Sequence, residues 1–277
     1  MDDMGINVAL LGYGAIGQAV HRMLAPLADQ ARVVGVLDRI SLEGAAGPAR
    51  MAGPAGSAVP VLDLAAATKG ADVVLECASP AAVRAYGPGI VGAGTDLLVA
   101  SLGALVDDRL RSTLLERGPG RCFLSTGAIG GLDLVRASAG TIDAITLETR
   151  KPPAALLHRG LGTELRSSIV RADATGAVGH VFGGSVAEAV RLFPSNINVA
   201  AALGLAAGNM DLVRVDIIAD PGATLTSHAI EVRGSGGTYR FAIENFPDPA
   251  NLATSTLTAR SLVSGLLRLA GHGPLFI

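Results

Sequence analysis

The chain has 277 residues, with 22 Lys and Arg against 24 Asp and Glu, a formal net charge of -2 and 3% aromatic residues. That composition offers neither a basic stripe nor a stacking platform, so no nucleic-acid partner is expected, and the length suffices for two domains with separate cores. The longest apolar run, around Ile197 to Ala207, falls short of the roughly twenty residues a membrane helix requires, and the opening Met1-Asp2-Asp3 is acidic rather than signal-like, so a cytoplasmic protein is expected.

The first predicted strand, Val8-Ala9-Leu10-Leu11, runs directly into Gly12-Tyr13-Gly14-Ala15-Ile16-Gly17 and then into a helical pattern from Gln18 to Leu27. In a Gly-x-Gly-x-x-Gly turn the first glycine allows the tight bend, the second lets the backbone approach a pyrophosphate, and the third permits close helix packing. Free N–H groups at the helix start, from Ala15, Ile16 and Gly17, face the anion. A second strand, Val33 to Leu37, ends at Asp38, about twenty residues on, where a carboxylate takes the ribose hydroxyls of a dinucleotide.

A Gly/Ala/Pro-rich stretch follows. Then come a strand at Ala71–Cys77, a helix from Pro80, a strand at Asp96–Ala100, a helix near Asp107–Glu116 and a strand at Arg121–Ser125. Alternation of this kind predicts a Rossmann-type α/β fold, a doubly wound parallel sheet. The loops after its strands should line the cofactor crevice: Ala78 and Ser79, Ser101, and the small-residue run Thr126-Gly127-Ala128-Ile129-Gly130-Gly131. Cys77 and Cys122 each sit beside a strand and read as buried free thiols, with no metal site expected.

Beyond residue 130 short helices at Leu132–Ala139, Ser185–Phe193 and Asn198–Ala207 mix with strands at Ile142–Thr149, Val213–Ala219, His228–Arg233 and Tyr239–Glu244. The last two strands form a hairpin around Gly234-Ser235-Gly236-Gly237, and the whole predicts an α+β domain on a mixed, largely antiparallel sheet. Thr254 to Leu269 has helical apolar spacing and is expected to pack back on the first domain.

Among the five histidines, His158 and His180 fall in loop-like polar contexts, whereas His228 shares a strand face with Ile230 and Val232. A core histidine is the plain reading; the sharper one is an imidazole in a partly dry cleft with its pKa near the working pH. Asn196 and Asn198 open a helical run, as caps or as carboxamides that grip a nicotinamide amide or a substrate carboxylate. Arg150-Lys151-Pro152-Pro153 reads as a stiff turn carrying cations, either solvated or clamping an anionic substrate.

Taken in order, Gly12 to Gly17, Thr126-Gly-Ala-Ile-Gly-Gly, Arg150-Lys-Pro-Pro, Phe193-Pro-x-Asn-Ile-Asn-Val, Asp220-Pro221 and the His228 strand make a chain that resembles the L-aspartate dehydrogenases over nearly its whole length. The resemblance implies oxidation of L-aspartate to iminoaspartate with NAD or NADP. The imine then hydrolyses to oxaloacetate and ammonia or feeds NAD biosynthesis. It also implies a homodimer, with His228 in the active site and Ala128 and Asn198 at the cofactor. Lys151, Asn196 and Thr226 are the expected substrate contacts, Thr226 standing where the family usually carries Asn. Asp38 suits the ribose diol of NAD, and the adjacent Arg39 leaves room for the NADP phosphate. The expected organisation is a dinucleotide-binding domain over 1–126, a substrate, catalytic and dimerisation domain over 127–251, and the returning helix within 252–277. The alternatives are a homoserine dehydrogenase-like enzyme acting on another small amino acid or aldehyde, and a dinucleotide-sensing protein without turnover.

Overall fold

A computed structural model describes residues 5–38, 50–194, 197–248 and 251–273. The chain divides into two compact units, Met1–Ser125 with Thr258–Ile277, and Thr126–Leu257.

The first unit is built on β1 (Ile6–Leu11), α1 (Ala15–Leu24), β2 (Ala31–Leu37), a small hairpin of β3 (Arg50–Ala52) and β4 (Ala58–Pro60), α2 (Leu64–Gly70), β5 (Val73–Glu76), α3 (Pro80–Gly92), β6 (Asp96–Val99), α4 (Asp108–Glu116) and β7 (Cys122–Leu124). Five strands pair in parallel in the order β2-β1-β5-β6-β7. Strands covered on both faces must be apolar throughout, and Val73-Val74-Leu75 and Leu97-Leu98-Val99 are buried at every position. The short β3–β4 hairpin and α2 occupy the part of the Gly/Ala/Pro-rich stretch that is described, a region with no strong periodicity to announce them.

The second unit contains α5 (Leu132–Ala137), β8 (Ile142–Lys151), α6 (Pro153–Leu156), α7 (Thr163–Thr175), β9 (Gly179–Ser185), α8 (Val186–Leu192), α9 (Asn198–Ala207), β10 (Val213–Ala219), β11 (Thr226–Gly234), β12 (Gly237–Asn245) and a two-stranded pair, β13 (Pro247–Asp248) with β14 (Asn251–Ser255). Its main sheet runs β12-β11-β8-β10-β9; only β8–β10 is parallel. Ser235 and Gly236 close the β11–β12 hairpin between the paired Gly234 and Gly237. Three readings are corrected. His180 lies in β9 rather than in a loop, Arg150 and Lys151 are the last residues of β8 rather than a turn, and the C-terminal helix is preceded by β14.

That helix, α10 (Thr256–Leu269), turns Leu262, Val263 and Leu266 into one cluster with Val8, Leu10, Val20, Leu24, Val36, Leu75 and Leu98, so the end of the chain completes the core of the first sheet. None of the described helices is long and apolar enough to cross a membrane. Leu266 is fully buried in this cluster, and Leu266→Ala is expected to cost about 2–5 kcal/mol, seen as a fall in the midpoint of urea unfolding. An unchanged midpoint would mean that α10 is not part of this core.

Candidate active site

In the first unit the glycine turn is fixed by contacts that leave no room for side chains. Gly12 adopts φ +101°, donates its N–H to the Leu37 carbonyl at 2.9 Å, and would place a Cβ 2.7 Å from that of Ala78. At Gly17 a Cβ would meet the Gly12 carbonyl oxygen at 2.5 Å, so the helix lies directly on the turn. Gly14 differs: nothing lies within 4 Å of the position its Cβ would take. It is the N-cap of α1 without a side-chain cap, and Gln18 makes the first turn's return bond, to Gly14, so the N–H groups of Ala15, Ile16 and Gly17 precede the helical ladder. Open space over uncapped helix donors is what a dinucleotide diphosphate requires, and the turn fits it. Asp38 directly follows β2.

The strand ends beside this turn are tied together by a residue that sequence reasoning missed. Glu76, the last residue of β5, is fully buried. Its Oε1 accepts from the Ala78 and Ser79 backbone N–H groups and from Ser101 Oγ, each at 2.9 Å, and its Oε2 accepts from the Ser101 N–H at 2.9 Å. The Ser101 hydroxyl therefore points inward, and Ser79 caps α3 by accepting from Ala82 N–H. Cys77 hands its Sγ–H to the Gly12 carbonyl at 3.2 Å; burial pushes this thiol up, and likewise Cys122 to about 12, so neither is a nucleophile.

In the second unit, alternation along β8 puts Ile145, Leu147, Thr149 and Lys151 on the buried face of the sheet. On β11 the buried set is Thr226, His228, Ile230 and Val232. Register brings the polar members to one end: His228 pairs with Thr149 on one side and Ile243 on the other, and Thr226 pairs with Asn245. Lys151 and His228 are only 4% and 3% exposed. Thr149 Oγ1 lies 3.0 Å from His228 Nδ1. Burial lowers the Lys151 ammonium to about 8. It lowers His228 to about 3, with the Lys151 charge as the second cause, so the imidazole is neutral at working pH instead of titrating there. Arg150, one residue away, points to the opposite face and pairs with Asp220 at 3.1 Å and Glu148 at 3.3 Å.

Asn245 donates from Nδ2 to the Ala128 carbonyl at 2.9 Å, which ties the Thr126–Gly131 loop to the end of β12. The same loop presses on this strand at Gly131, where φ is +82° and a Cβ would sit 2.5 Å from the Phe241 ring. Asn198 is the first residue of α9; the cap position is Ile197, which makes no side-chain cap. Asn196 and Arg39 lie outside the described residues. Among the described residues no cluster of three or more His, Cys, Asp or Glu is placed to hold a metal.

Two family models match the chain: "Aspartate dehydrogenase, C-terminal" over residues 133–269, and "Homoserine dehydrogenase, NAD binding domain" over residues 12–119. The L-aspartate dehydrogenase of Ruegeria pomeroyi is 36% identical over 269 residues, 94% of this chain and 91% of the relative. That of a Thermotoga species is 38% identical over 199 residues, 71% of this chain and 76% of the relative. The crystal structure of aspartate dehydrogenase from Thermotoga maritima matches with a TM-score of 0.69 and 29% identity over 98% of this chain and 99% of that one. A glycine turn shaped for a dinucleotide, a second-unit sheet within the aspartate dehydrogenase model, and relatives at this identity along both chains lead to one conclusion: the protein belongs to the L-aspartate dehydrogenase family.

Proposed function

We propose that the protein is an NAD(P)-dependent L-aspartate dehydrogenase that oxidises the amino-bearing carbon of aspartate to an imine. The observation that carries this reading is the polar end of the second sheet. A buried lysine and a buried neutral imidazole share one face there, in a member of this family. The second unit is the substrate and dimerisation domain in this reading, the enzyme is a cytoplasmic homodimer, and its product supplies NAD biosynthesis.

When bound, the nicotinamide supplies the two-electron acceptor for the hydrogen leaving the substrate Cα. The chain's residues do the rest. Gly14 and the first turn of α1 receive the diphosphate, Asp38 receives the adenosine ribose, and Ala128 and Asn198 meet the nicotinamide end. Lys151, with Thr226 beside it, holds a substrate carboxylate. A cation kept in a dry site attracts an anion far more strongly than a solvated one does, because little water screens the pair. His228 takes the proton released as amine becomes imine, at Nε2, with Nδ1–H donating to Thr149 Oγ1. In the resting protein the imidazole is a weak base; substrate carboxylates placed beside it offset the Lys151 charge and raise its proton affinity.

The reading is tested by assaying purified protein for reduction of NAD and NADP with a panel of amino acids, aldehydes and hydroxy acids. Aspartate is expected to be the preferred substrate, and His228→Ala to lower kcat by about 10²- to 10⁴-fold while NADH binding stays near wild type. Turnover of another substrate in preference to aspartate, or a His228→Ala enzyme with unchanged kcat, contradicts it. The pH dependence carries a separate expectation. Lys151 is charged below about 8 and neutral above it, so carboxylate binding weakens as pH rises through that value. KM for aspartate should climb on the alkaline side, and Lys151→Met should remove the climb by leaving KM uniformly high. A wild-type KM that is flat from neutral to strongly alkaline pH would exclude Lys151 as the anchor.

A further inference from the structure

Glu76 is the one fully buried carboxylate among the described residues that the proposed chemistry does not use, and its surroundings are unusual for an acid. Four donors converge on it, three backbone N–H groups and one hydroxyl, all at 2.9 Å. Burial raises the Glu76 pKa and is the larger effect; the hydrogen bonds oppose it, because backbone N–H groups cannot accept a proton from a carboxyl and so favour the charged form. The donors belong to two separate loops. Ala78 and Ser79 follow β5, and Ser101 follows β6. One side chain therefore sets the spacing of two neighbouring strand ends, and it does so at the carboxyl edge of a parallel sheet, where a dinucleotide lies.

The position along that edge gives the role its direction. β2, which Asp38 directly follows, lies on one side of β1 and its glycine turn; β5 and β6 lie on the other. With the diphosphate over the β1 turn and the adenosine over β2, the other half of the ligand extends over β5 and β6. We infer that Glu76 is a positioning residue for the nicotinamide riboside half of the cofactor, acting through the Ala78–Ser79 and Ser101 backbones it holds rather than by touching the ligand. This rests on the dinucleotide reading of the first unit and is independent of which substrate the second unit takes.

Glu76→Gln keeps the shape but places an NH₂ group among N–H donors, so at least one of the four bonds is lost and the loops separate. The experiment measures equilibrium binding of NADH, by fluorescence, and of ADP, by calorimetry, to the wild-type and variant full-length proteins, with thermal unfolding alongside. NADH affinity should fall by about 10- to 100-fold, the range expected for hydrogen bonds to a charged group, while ADP, which needs only the turn and the β2 side, changes by less than about threefold. Ser101→Ala removes the hydroxyl donor alone and should give the same NADH-selective pattern at smaller amplitude; it serves if Glu76→Gln does not fold. Equal losses for NADH and ADP would show a general structural role and overturn the inference, as would unchanged NADH affinity in a folded Glu76→Gln protein. Failure of the aspartate reading would leave both binding measurements as they stand, whereas wild-type protein that binds neither ligand would remove the dinucleotide reading and this inference with it.

Discussion

The candidate chemistry depends on one constraint: a lysine and a histidine are forced onto the dry face of a sheet. Lys151 occupies the next inward position after Thr149 on β8, and His228 pairs with Thr149 from β11, so the alternation of two strands and their register bring both groups to the same end. Removing them from water penalises their charged forms, and the Lys151 charge makes a charge on His228 more costly still. The result is a site that holds at most one positive charge near neutrality and that gains from the arrival of an anion. A dicarboxylate with an amino group meets that description, and an uncharged aldehyde would not offset the burial of Lys151.

The first unit uses its buried charge differently. Glu76 is as dry as His228, and burial pushes its pKa up, but its two oxygens accept from four donors that oppose that push. Around it, glycines and small side chains are required by contact. Ala78 closes over Gly12, Cys77 reaches the Gly12 carbonyl, and Gly17 lies against both. The turn is thus rigid on its inner side and open at Gly14. Burial thus has two outcomes in the two units: in one a buried side chain holds two loops of backbone, and in the other a lysine and a histidine are kept dry at one end of a sheet.

Much of this was legible in the residues. The glycine turn, Asp38, the α9 span Asn198–Ala207 and the β11–β12 hairpin carried strong local signals, namely glycines at fixed offsets, a long apolar run and alternating side chains around Gly234 to Gly237. Other elements did not. α7 buries only Ile169 and Ala172, too thin a stripe to show a period, and β9 reads Gly-His-Val-Phe-Gly-Gly-Ser because it is an edge strand with glycines packed under Arg214 and Phe182. Lys151 is legible as a cation but not as a strand residue, since the proline pair after it suggests a turn while β8 continues to Lys151 and ends just before the prolines. Glu76 carries a signal of its own, an acid that ends β5 directly after Val73-Val74-Leu75. Asn245 had none, as its partner is the Ala128 carbonyl, more than a hundred residues away in the chain.

The most direct test of the central claim is the protonation of His228 itself. ¹⁵N NMR of histidine-labelled resting protein, with the His228 signal assigned by comparison with His228→Gln, reports the charge and tautomer of the ring across the stable pH range. The ring is expected to stay neutral throughout that range, its pKa held at about 3 by burial and by Lys151. An imidazole that titrates near 6.5, as a solvated histidine does, would contradict the account, because the dry, charge-poor site on which the proposed chemistry rests would not exist.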